Sequence, residues 1–220
     1  MVKIAPSLLS ADFLDLRKDV RLVNEHADIF HLDIMDGSFV PNLSFGFPVV
    51  EAIAEEARKP LDTHLMIVHP EKYIERFAKA GSDMISFHLE AADQAGEDAA
   101  DILARIRSFG VKAGLVINPD VPVERLFPYI DDADFFLIMS VFAGFGGQKF
   151  MEDSIGRIAT LRRELDRRGA SHDIEVDGGV SAANAGVLVE AGATILVAGS
   201  SVFKAPDPAA AIDAMRCHSE

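Results

Sequence analysis

Histidine and carboxylate side chains recur near the ends of apolar runs in this sequence. His31 and Asp33 lie two residues apart in the run Asp28–Ile34, a spacing that places both side chains on one face of a β-strand. His64 lies near the end of the next apolar run, and Asp177 closes a later one. Two imidazoles and two carboxylates form a mixed nitrogen and oxygen ligand set, which suits Zn, Mn, Fe or Co. The alternative is a buried polar cluster without a metal, in which hydrogen bonds satisfy each group.

Glycine-rich segments follow three later apolar runs, at Gly144–Gly147, Gly178–Gly179 and Gly199–Ser200. Backbone amides in such segments can approach an anion closely, so together they predict a phosphate site. Lys149 is the one cation near the first segment and is a candidate to assist. The alternative is that these glycines only form tight turns between strands and helices.

Further side chains stand at the ends of apolar runs. Met35, Met66 and Met139 are typical of packing, although beside carboxylates they would also lower the local polarity. Ser7 and His88 occupy equivalent positions in their own runs. We interpret His88 as a supporting or structural residue rather than a metal ligand.

Eight short apolar runs alternate with longer amphipathic segments. Runs that are buried on both faces predict parallel strands, and eight strand–helix units in 220 residues predict a (β/α)8 barrel. A doubly wound open sheet is the alternative, but its first turn is usually rich in glycine, and here that turn reads PSLLSAD. Barrel enzymes hold their active sites at the carboxyl ends of the strands, so the residues above should meet at one mouth. The predicted strands are Ile4–Leu9, Asp28–Ile34, Leu61–Val68, Met84–Leu89, Lys112–Ile117, Asp134–Val141, Asp173–Asp177 and Thr194–Ala198.

Charges recurring every three or four residues predict the helices between these strands. Ser10 is the expected N-cap of the first helix. A single barrel domain is expected over residues 1–220. The predicted helices are Ala11–Glu25, one that ends near Arg58, Glu71–Ala80, Glu97–Phe109, Val123–Ile130, Asp153–Arg168, Ala182–Ala191 and Pro208–Arg216.

Composition and charge narrow the class of protein. With 21 basic and 35 acidic residues, the formal net charge is −14, which argues against binding to nucleic acid or to an anionic membrane surface. Hydrophobic residues make up 49% of the chain, as in globular proteins, and no uninterrupted apolar stretch predicts a spanning helix. The one cysteine, Cys217, is expected to have no special role. A reducing, cytoplasmic setting is expected, since the first residues do not resemble a signal peptide.

The strings PSLLSADF, HLDIMDGSFVPN, HLMI, GFGGQKF, EVDGGV and VAGSSVF, taken in this order, closely resemble the ribulose-phosphate 3-epimerase family. The resemblance extends from Ile4 to Phe203. It implies a barrel enzyme of the pentose phosphate pathway that interconverts ribulose 5-phosphate and xylulose 5-phosphate with one divalent metal ion, Zn, Fe, Mn or Co. A homo-oligomer is also expected. The sequence departs from the family pattern at Phe142-Ala143, just before the first glycine-rich segment, which concerns the conformation of that loop.

The resemblance also assigns roles to individual residues. It implies that Asp33 and Asp177 are the acid–base pair and that, with His31 and His64, they bind the metal. Met35, Met66 and Met139 match the methionine lining of the family's pocket. The residues that match its substrate and phosphate contacts are Ser7, His64, Gly144, Phe145, Gly146, Gly147, Gly178, Gly179, Gly199 and Ser200.

Three other functions compete with this interpretation. An epimerase acting on allulose 6-phosphate or another ketose phosphate would share the same ligands. Related sugar-phosphate and orotidine decarboxylases carry a lysine in an Asp-x-Lys-x-x-Asp string, but here Met35 stands at the lysine position after Asp33. The third alternative, from a different class, is a catalytically inactive barrel that binds a ligand, although all four candidate ligands are present.

Overall fold

Eight parallel strands form a barrel around one axis. The protein is described by a computed structural model that covers residues 1–216, and the strands follow the order β1-β8-β7-β6-β5-β4-β3-β2. A single bridge between Ser7 and His31 brings β1 beside β2. The predicted (β/α)8 barrel is therefore confirmed. The strands are β1 Lys3–Pro6, β2 Phe30–Met35, β3 Leu61–Met66, β4 Met84–His88, β5 Lys112–Ile117, β6 Phe135–Met139, β7 Asp173–Asp177 and β8 Ile195–Ala198.

Helices surround the barrel, and most lie near their predicted positions. Two short helices, α4 and α8, follow β4 and β8 directly and were not predicted. The α-helices are α1 Leu16–His26, α2 Phe47–Glu56, α3 Ile74–Lys79, α4 Leu89–Ala95, α5 Ala99–Ser108, α6 Asp153–Arg168, α7 Ala182–Glu190, α8 Ser200–Phe203 and α9 Pro208–Arg216. Short 3-10 helices cover Leu8–Ser10, Pro70–Lys72 and Val123–Tyr129.

The first helix begins later than predicted, and Ser10 is not its N-cap. Ser10 ends a 3-10 helix, and the N-cap of α1 is Asp15. The reason is local, because the Asp12 N–H donates to Asp19 Oδ2 over 2.7 Å and the Asp12 side chain accepts from the Leu14 N–H. These bonds shape a turn where the charge pattern alone predicts helix. The helix predicted over Val123–Ile130 is likewise a 3-10 helix, since it contains Pro128.

Alternation along the strands separates the outer packing from the barrel interior. Leu32 and Ile34 of β2 belong to the large apolar cluster shared with the surrounding helices, whereas His31 and Asp33 point inwards. The lower interior is apolar, and the polar groups lie above it, towards the carboxyl ends of the strands. That floor consists of Ala5, Ile29, Met84, Phe135, Ile195 and Val197.

A repeated hydrogen bond ties the strands in pairs at the amino end of the barrel. Each of three aspartates, placed just before an even-numbered strand, accepts a backbone N–H from the preceding odd-numbered strand over 2.8 Å. The bonds join Asp28 to Ile4, Asp83 to Leu61, and Asp134 to Ala113. In the fourth pair, Thr194 Oγ1 accepts from the Ile174 N–H. We call these four contacts the pair-linking bonds.

The extent of the domain remains a prediction, because residues 217–220 lie outside the described part of the chain. The expectation for Cys217 falls in that segment. Among residues 1–216, no helix combines the length and the apolar character needed to cross a membrane.

Gly114 provides a test of how tightly the barrel floor is packed. A Cβ atom on Gly114 would lie 2.3 Å from Cζ of Phe135, its neighbour on β6. Overpacking of this kind costs about 1–3 kcal/mol, so Gly114→Ala should lower the free energy of unfolding by that amount in urea denaturation.

Gly156 is the matched control for that substitution. It lies exposed within α6, and a Cβ atom added there would have no neighbouring atom within 4 Å. Because alanine favours helix over glycine, Gly156→Ala should stabilise the protein by up to about 1 kcal/mol. If both substitutions changed the free energy of unfolding in the same direction, the Phe135 ring would not be what determines the effect at position 114.

Candidate active site

Four ionisable side chains from three strands meet at the carboxyl end of the barrel. His31 and Asp33 come from β2, His64 from β3 and Asp177 from β7, and one ligand atom of each lies within 4.8 Å of the others. His31 Nε2 is 3.4 Å from Asp33 Oδ1, and His64 Nδ1 is 3.3 Å from the same oxygen. The structure therefore brings together all four residues that the sequence singles out as candidate metal ligands.

The hydrogen bonds of His31 leave one ring nitrogen available to a cation. His31 Nδ1 lies 2.6 Å from Asp62 Oδ2, and a carboxylate next to an imidazole accepts its N–H. His31 Nε2 is buried and makes no hydrogen bond to any residue between 1 and 216. A buried, unpartnered ring nitrogen facing two carboxylates fits a metal ion, because an ion bound there would satisfy all three groups. The four side chains could thus hold a divalent cation.

The electrostatics of this group favour positive charge at its centre. Burial acts to lower the pKa of His31, but the charges of Asp33 and Asp62 outweigh it and raise that pKa well above its usual value. Burial acts to raise the pKa of Asp33, and the two histidines hold it well below its usual range instead. Burial lowers the pKa of His64 to about 4, so this imidazole is neutral and able to ligate near pH 7.

Asp177 differs from Asp33 in its surroundings. Burial and the charge of Asp33 raise the pKa of Asp177 to about 7, so at neutral pH its protonated and ionised forms coexist. Such a group suits proton transfer in either direction. Ser140 fixes the backbone here, because its Oγ donates to the carbonyls of Asp177 and Gly178 over 2.8 and 2.7 Å.

A second layer of acidic groups lies beneath His31, and the sequence analysis missed it. Asp62 and Glu175 are fully buried, and Glu175 Oε1 is 3.3 Å from His31 Nδ1. Burial and the charge of Asp62 raise the pKa of Glu175 well above its usual value. The spacing could have indicated both acids. Asp62 lies two residues before His64 and Glu175 two residues before Asp177, so each acid points to the barrel interior like the residue that follows it.

A cavity lined by Asp33 and Asp177 opens above these ligands. None of the described residues that line it is Lys or Arg, and Lys149 is exposed outside it, so the suggested help from this lysine is not supported. Every glycine, serine and methionine predicted for the site lines the cavity, as does Phe145. These residues are Ser7, Met35, Met66, Met139, Gly144, Phe145, Gly146, Gly147, Gly178, Gly179, Gly199 and Ser200.

Two of these glycines have no room for a side chain. Gly178 has φ of 122°, and a Cβ there would lie 2.5 Å from Val141 Cγ2. Gly179 has φ of 64°, and a Cβ would lie 2.5 Å from the Phe150 backbone nitrogen. Both have positive φ and lie in tight contact with the segment that follows β6, so glycine is required at both positions.

The loop over Gly144–Gly147, which we call the glycine loop, is held from two sides. Asn42 Nδ2 donates to the Gly144 carbonyl over 3.0 Å, and Gln148 Nε2 donates to the Phe142 and Phe145 carbonyls. At the position that departs from the family pattern, Ala143 packs against both methionine-containing clusters, one with Met35 and Met66 and one with Met139. Asn42 and Gln148 were not predicted as loop contacts, because their partners are distant or are backbone atoms.

The remaining polar contacts support the ligands. Ser7 Oγ donates to Asp33 Oδ2 over 2.5 Å, which places this serine beside a candidate ligand as well as in the cavity. His88 Nε2 lies 2.9 Å from His64 Nε2, and His88 is fully buried. His88 is not part of the four-residue cluster, which agrees with its interpretation as a supporting residue.

Comparison with solved structures identifies related barrels. The chain superposes on KGPDC from Streptococcus mutans with a TM-score of 0.75 at 12% identity, covering 99% of this chain and 97% of that one. It superposes on 3-hexulose-6-phosphate synthase from Salmonella typhimurium with a TM-score of 0.72 at 17% identity, covering 99% and 98%. At these identities the similarity shows the shared fold.

Comparison of sequences is more specific. The ribulose-phosphate 3 epimerase family model matches residues 3–203. Ribulose-phosphate 3-epimerase from Synechocystis sp. is 48% identical, covering 98% of this chain and 93% of its own length. The enzyme of that name from Bacillus subtilis is 44% identical, covering 98% and 99%. Identity to the chloroplastic Arabidopsis thaliana protein is 45%, covering 97% and 75%. This chain therefore belongs to the ribulose-phosphate 3-epimerase family.

Proposed function

We propose that this epimerase, a kind of isomerase, interconverts D-ribulose 5-phosphate and D-xylulose 5-phosphate. The observation that carries the proposal is the pair of carboxylates, Asp33 and Asp177, at the floor of one cavity with two histidines beside them. The names of the full-length relatives support the choice of substrate. The pentose phosphate pathway is the setting that this reaction implies.

Inversion at a carbon next to a ketone requires a base on one face and an acid on the other. Asp33 and Asp177 come from different strands and both line the cavity, so they can approach a bound substrate from different sides. We assign them as the pair that removes and returns the C3 proton, with their roles exchanged between the two directions. Ser7 and Ser140 hold these two residues in place.

The residues that would bind one divalent ion are His31, Asp33, His64 and Asp177. When bound, a Zn, Fe, Mn or Co ion acts as a Lewis acid that stabilises negative charge developing on the substrate oxygens. His64 would ligate as a neutral imidazole, and His31 would do so after losing the proton that its raised pKa retains, while the two aspartates supply the negative charge that attracts a cation.

The far end of the substrate is expected to bind the three glycine-rich segments. Backbone N–H groups at Gly144–Gly147, Gly178–Gly179 and Gly199–Ser200 are the proposed donors to its phosphate group. Donors of this kind let a chain with a net charge of −14 bind an anion without a basic side chain in the cavity. A fixed phosphate orients C3 between the carboxylates.

The substrate preference is the first prediction to test. Epimerisation of ribulose 5-phosphate should exceed that of allulose 6-phosphate on the same preparation, measured as kcat/KM. A preference for the hexose phosphate would leave the proposed mechanism unchanged but would show that the substrate is allulose 6-phosphate. Activity on neither, with metal restored, would instead indicate a ligand-binding barrel.

The second prediction concerns Asp177. Asp177→Asn removes one of the two proton-transfer groups, so kcat should fall by about 100-fold to 10,000-fold. Because Asp33 remains, one epimer should still exchange its C3 hydrogen with D2O without being converted, a result that NMR detects.

Asp131→Asn is the matched control. Asp131 is exposed and lies outside the cavity, so the substitution removes the same charge without touching the site. It should leave kcat unchanged. Near-normal interconversion of both epimers by metal-loaded Asp177→Asn would show that Asp177 is not the second acid–base group.

The third prediction concerns the metal. Dialysis against a chelator should slow epimerisation by at least roughly 100-fold, because Lewis-acid stabilisation is worth several kcal/mol. Addition of Zn, Mn, Fe or Co should restore the rate, with metal content followed by mass spectrometry. Full activity in protein shown to be free of metal would exclude this role.

The assembly and the cellular setting are proposed from the exposed side chains and the composition. A homo-oligomer would cover some of the exposed large apolar side chains, such as Phe13, Leu14 and Leu43. The single cysteine agrees with a cytoplasmic location, and the acidic net charge argues against nucleic acid as a partner.

A further inference from the structure

Ser10 ends the 3-10 helix that follows β1, and it lines the cavity above the candidate ligands. Its backbone N–H donates to the Ser7 carbonyl over 3.2 Å, so the turn that carries Ser10 is tied to a residue that contacts Asp33. The N-cap of α1 is Asp15, so the hydroxyl group of Ser10 is not used to cap that helix. The place of this side chain in the cavity therefore calls for another role.

Two of the proposed phosphate-binding segments lie next to the Ser10 hydroxyl group. A Cβ atom added to Gly199 would lie 2.6 Å from Ser10 Oγ, and one added to Gly146 would lie 3.6 Å from it. Gly199 directly follows β8, and Gly146 belongs to the glycine loop after β6. A phosphate group that accepted backbone N–H bonds from both segments would therefore lie beside this hydroxyl group.

The serines that line the cavity differ in whether their hydroxyl proton is already in use. A hydroxyl group has one proton to donate. Ser7 Oγ donates its proton to Asp33 over 2.5 Å, and Ser201 Oγ donates to a backbone carbonyl over 2.7 Å. Within residues 1–216, neither Ser10 Oγ nor Ser200 Oγ has an acceptor for its proton. Ser10 can thus donate to a bound ligand without breaking a bond inside the protein.

We propose that Ser10 is a further phosphate-binding residue, whose hydroxyl group donates a hydrogen bond to the phosphate group of the substrate. None of the described residues that line the cavity is Lys or Arg, so this bond supplements the backbone N–H groups. The inference rests on the proposed function, because it takes the phosphate group to bind the glycine-rich segments. It assigns one of the phosphate contacts to a side chain, and substitution can remove that contact.

The test is the effect of Ser10→Ala on the binding of substrate and of inorganic phosphate. In metal-loaded protein, the KM for ribulose 5-phosphate and the Ki of phosphate as a competitive inhibitor should both rise roughly 10-fold, because a hydrogen bond to a charged group is lost. The kcat should change by less than about twofold, since the contact is the same in the ground and transition states. A purely structural role, transmitted through Ser7 to Asp33, would lower kcat instead and would contradict the proposal.

Ser10→Asp tests whether an anion binds beside this position. A carboxylate repels a phosphate group, so the Ki of inorganic phosphate should rise further than it does in Ser10→Ala. A Ki for Ser10→Asp no higher than that of the wild type would overturn the proposal. Thermal unfolding of each variant confirms that the proteins compared are folded.

Ser171 provides the matched control for both substitutions. It is exposed, it precedes β7 at the amino end of the barrel, and it lies outside the cavity. Ser171→Ala and Ser171→Asp make the same changes in size and charge, and they should leave KM and Ki unchanged. An equal rise in Ki in Ser10→Asp and Ser171→Asp would show that overall charge, and not the position of Ser10, weakens phosphate binding.

The outcomes distinguish this inference from the proposed function. Wild-type protein that epimerises ribulose 5-phosphate, beside a Ser10→Ala variant with unchanged KM and Ki, would overturn the role of Ser10 and leave the epimerase proposal intact. Wild-type protein without epimerase activity would contradict the proposed function, and calorimetric titration with inorganic phosphate would then decide on Ser10. Phosphate binding that Ser10→Ala weakens would still support its role, whereas unchanged or absent binding would overturn it.

Discussion

The hydrogen bond between His31 Nδ1 and Asp62 is the interaction on which the rest of the site depends. It is buried in the barrel interior, and it turns the other ring nitrogen of His31 towards Asp33 and Asp177. The charge of Asp62 helps to raise the pKa of His31, and Glu175, whose own pKa is raised by burial and by the charge of Asp62, lies beside it. Buried ionisable groups are costly unless each has a partner, so the six groups are interdependent.

The site combines two kinds of support. Its candidate ligands lie on strands, and the register of the strands fixes their relative positions. The proposed phosphate donors lie on loops instead. Asn118 lies between these two parts, since it accepts from the N–H of Ala143, just before the glycine loop, and donates to the Glu90 carboxylate. One asparagine, itself held by Arg157, therefore contacts residues from both parts of the site.

The sequence pattern predicts the features that repeat along the chain, but it does not predict contacts between residues that are distant in sequence. The strand–helix period gives the barrel, and the residues closing the strands give the four-residue cluster, because parallel strands end at one mouth. The late start of α1 depends on Asp12 and Asp19, whose side chains compete with the helix for backbone groups. The contacts among His64 of β3, His88 of β4 and Asn118 after β5 join three strands, and nothing in the order of residues reveals that they touch.

The pair-linking bonds at the amino end divide the barrel into four two-strand units. Each bond joins an odd-numbered strand to the even-numbered strand that follows it, and each is closed within one continuous stretch of chain. Division of the polypeptide between α5 and β5 would therefore leave two complementary fragments that each retain a pair of intact units. Because β1 and β8 are neighbours, the same arrangement suits circular permutation, with new ends opened between units rather than inside one.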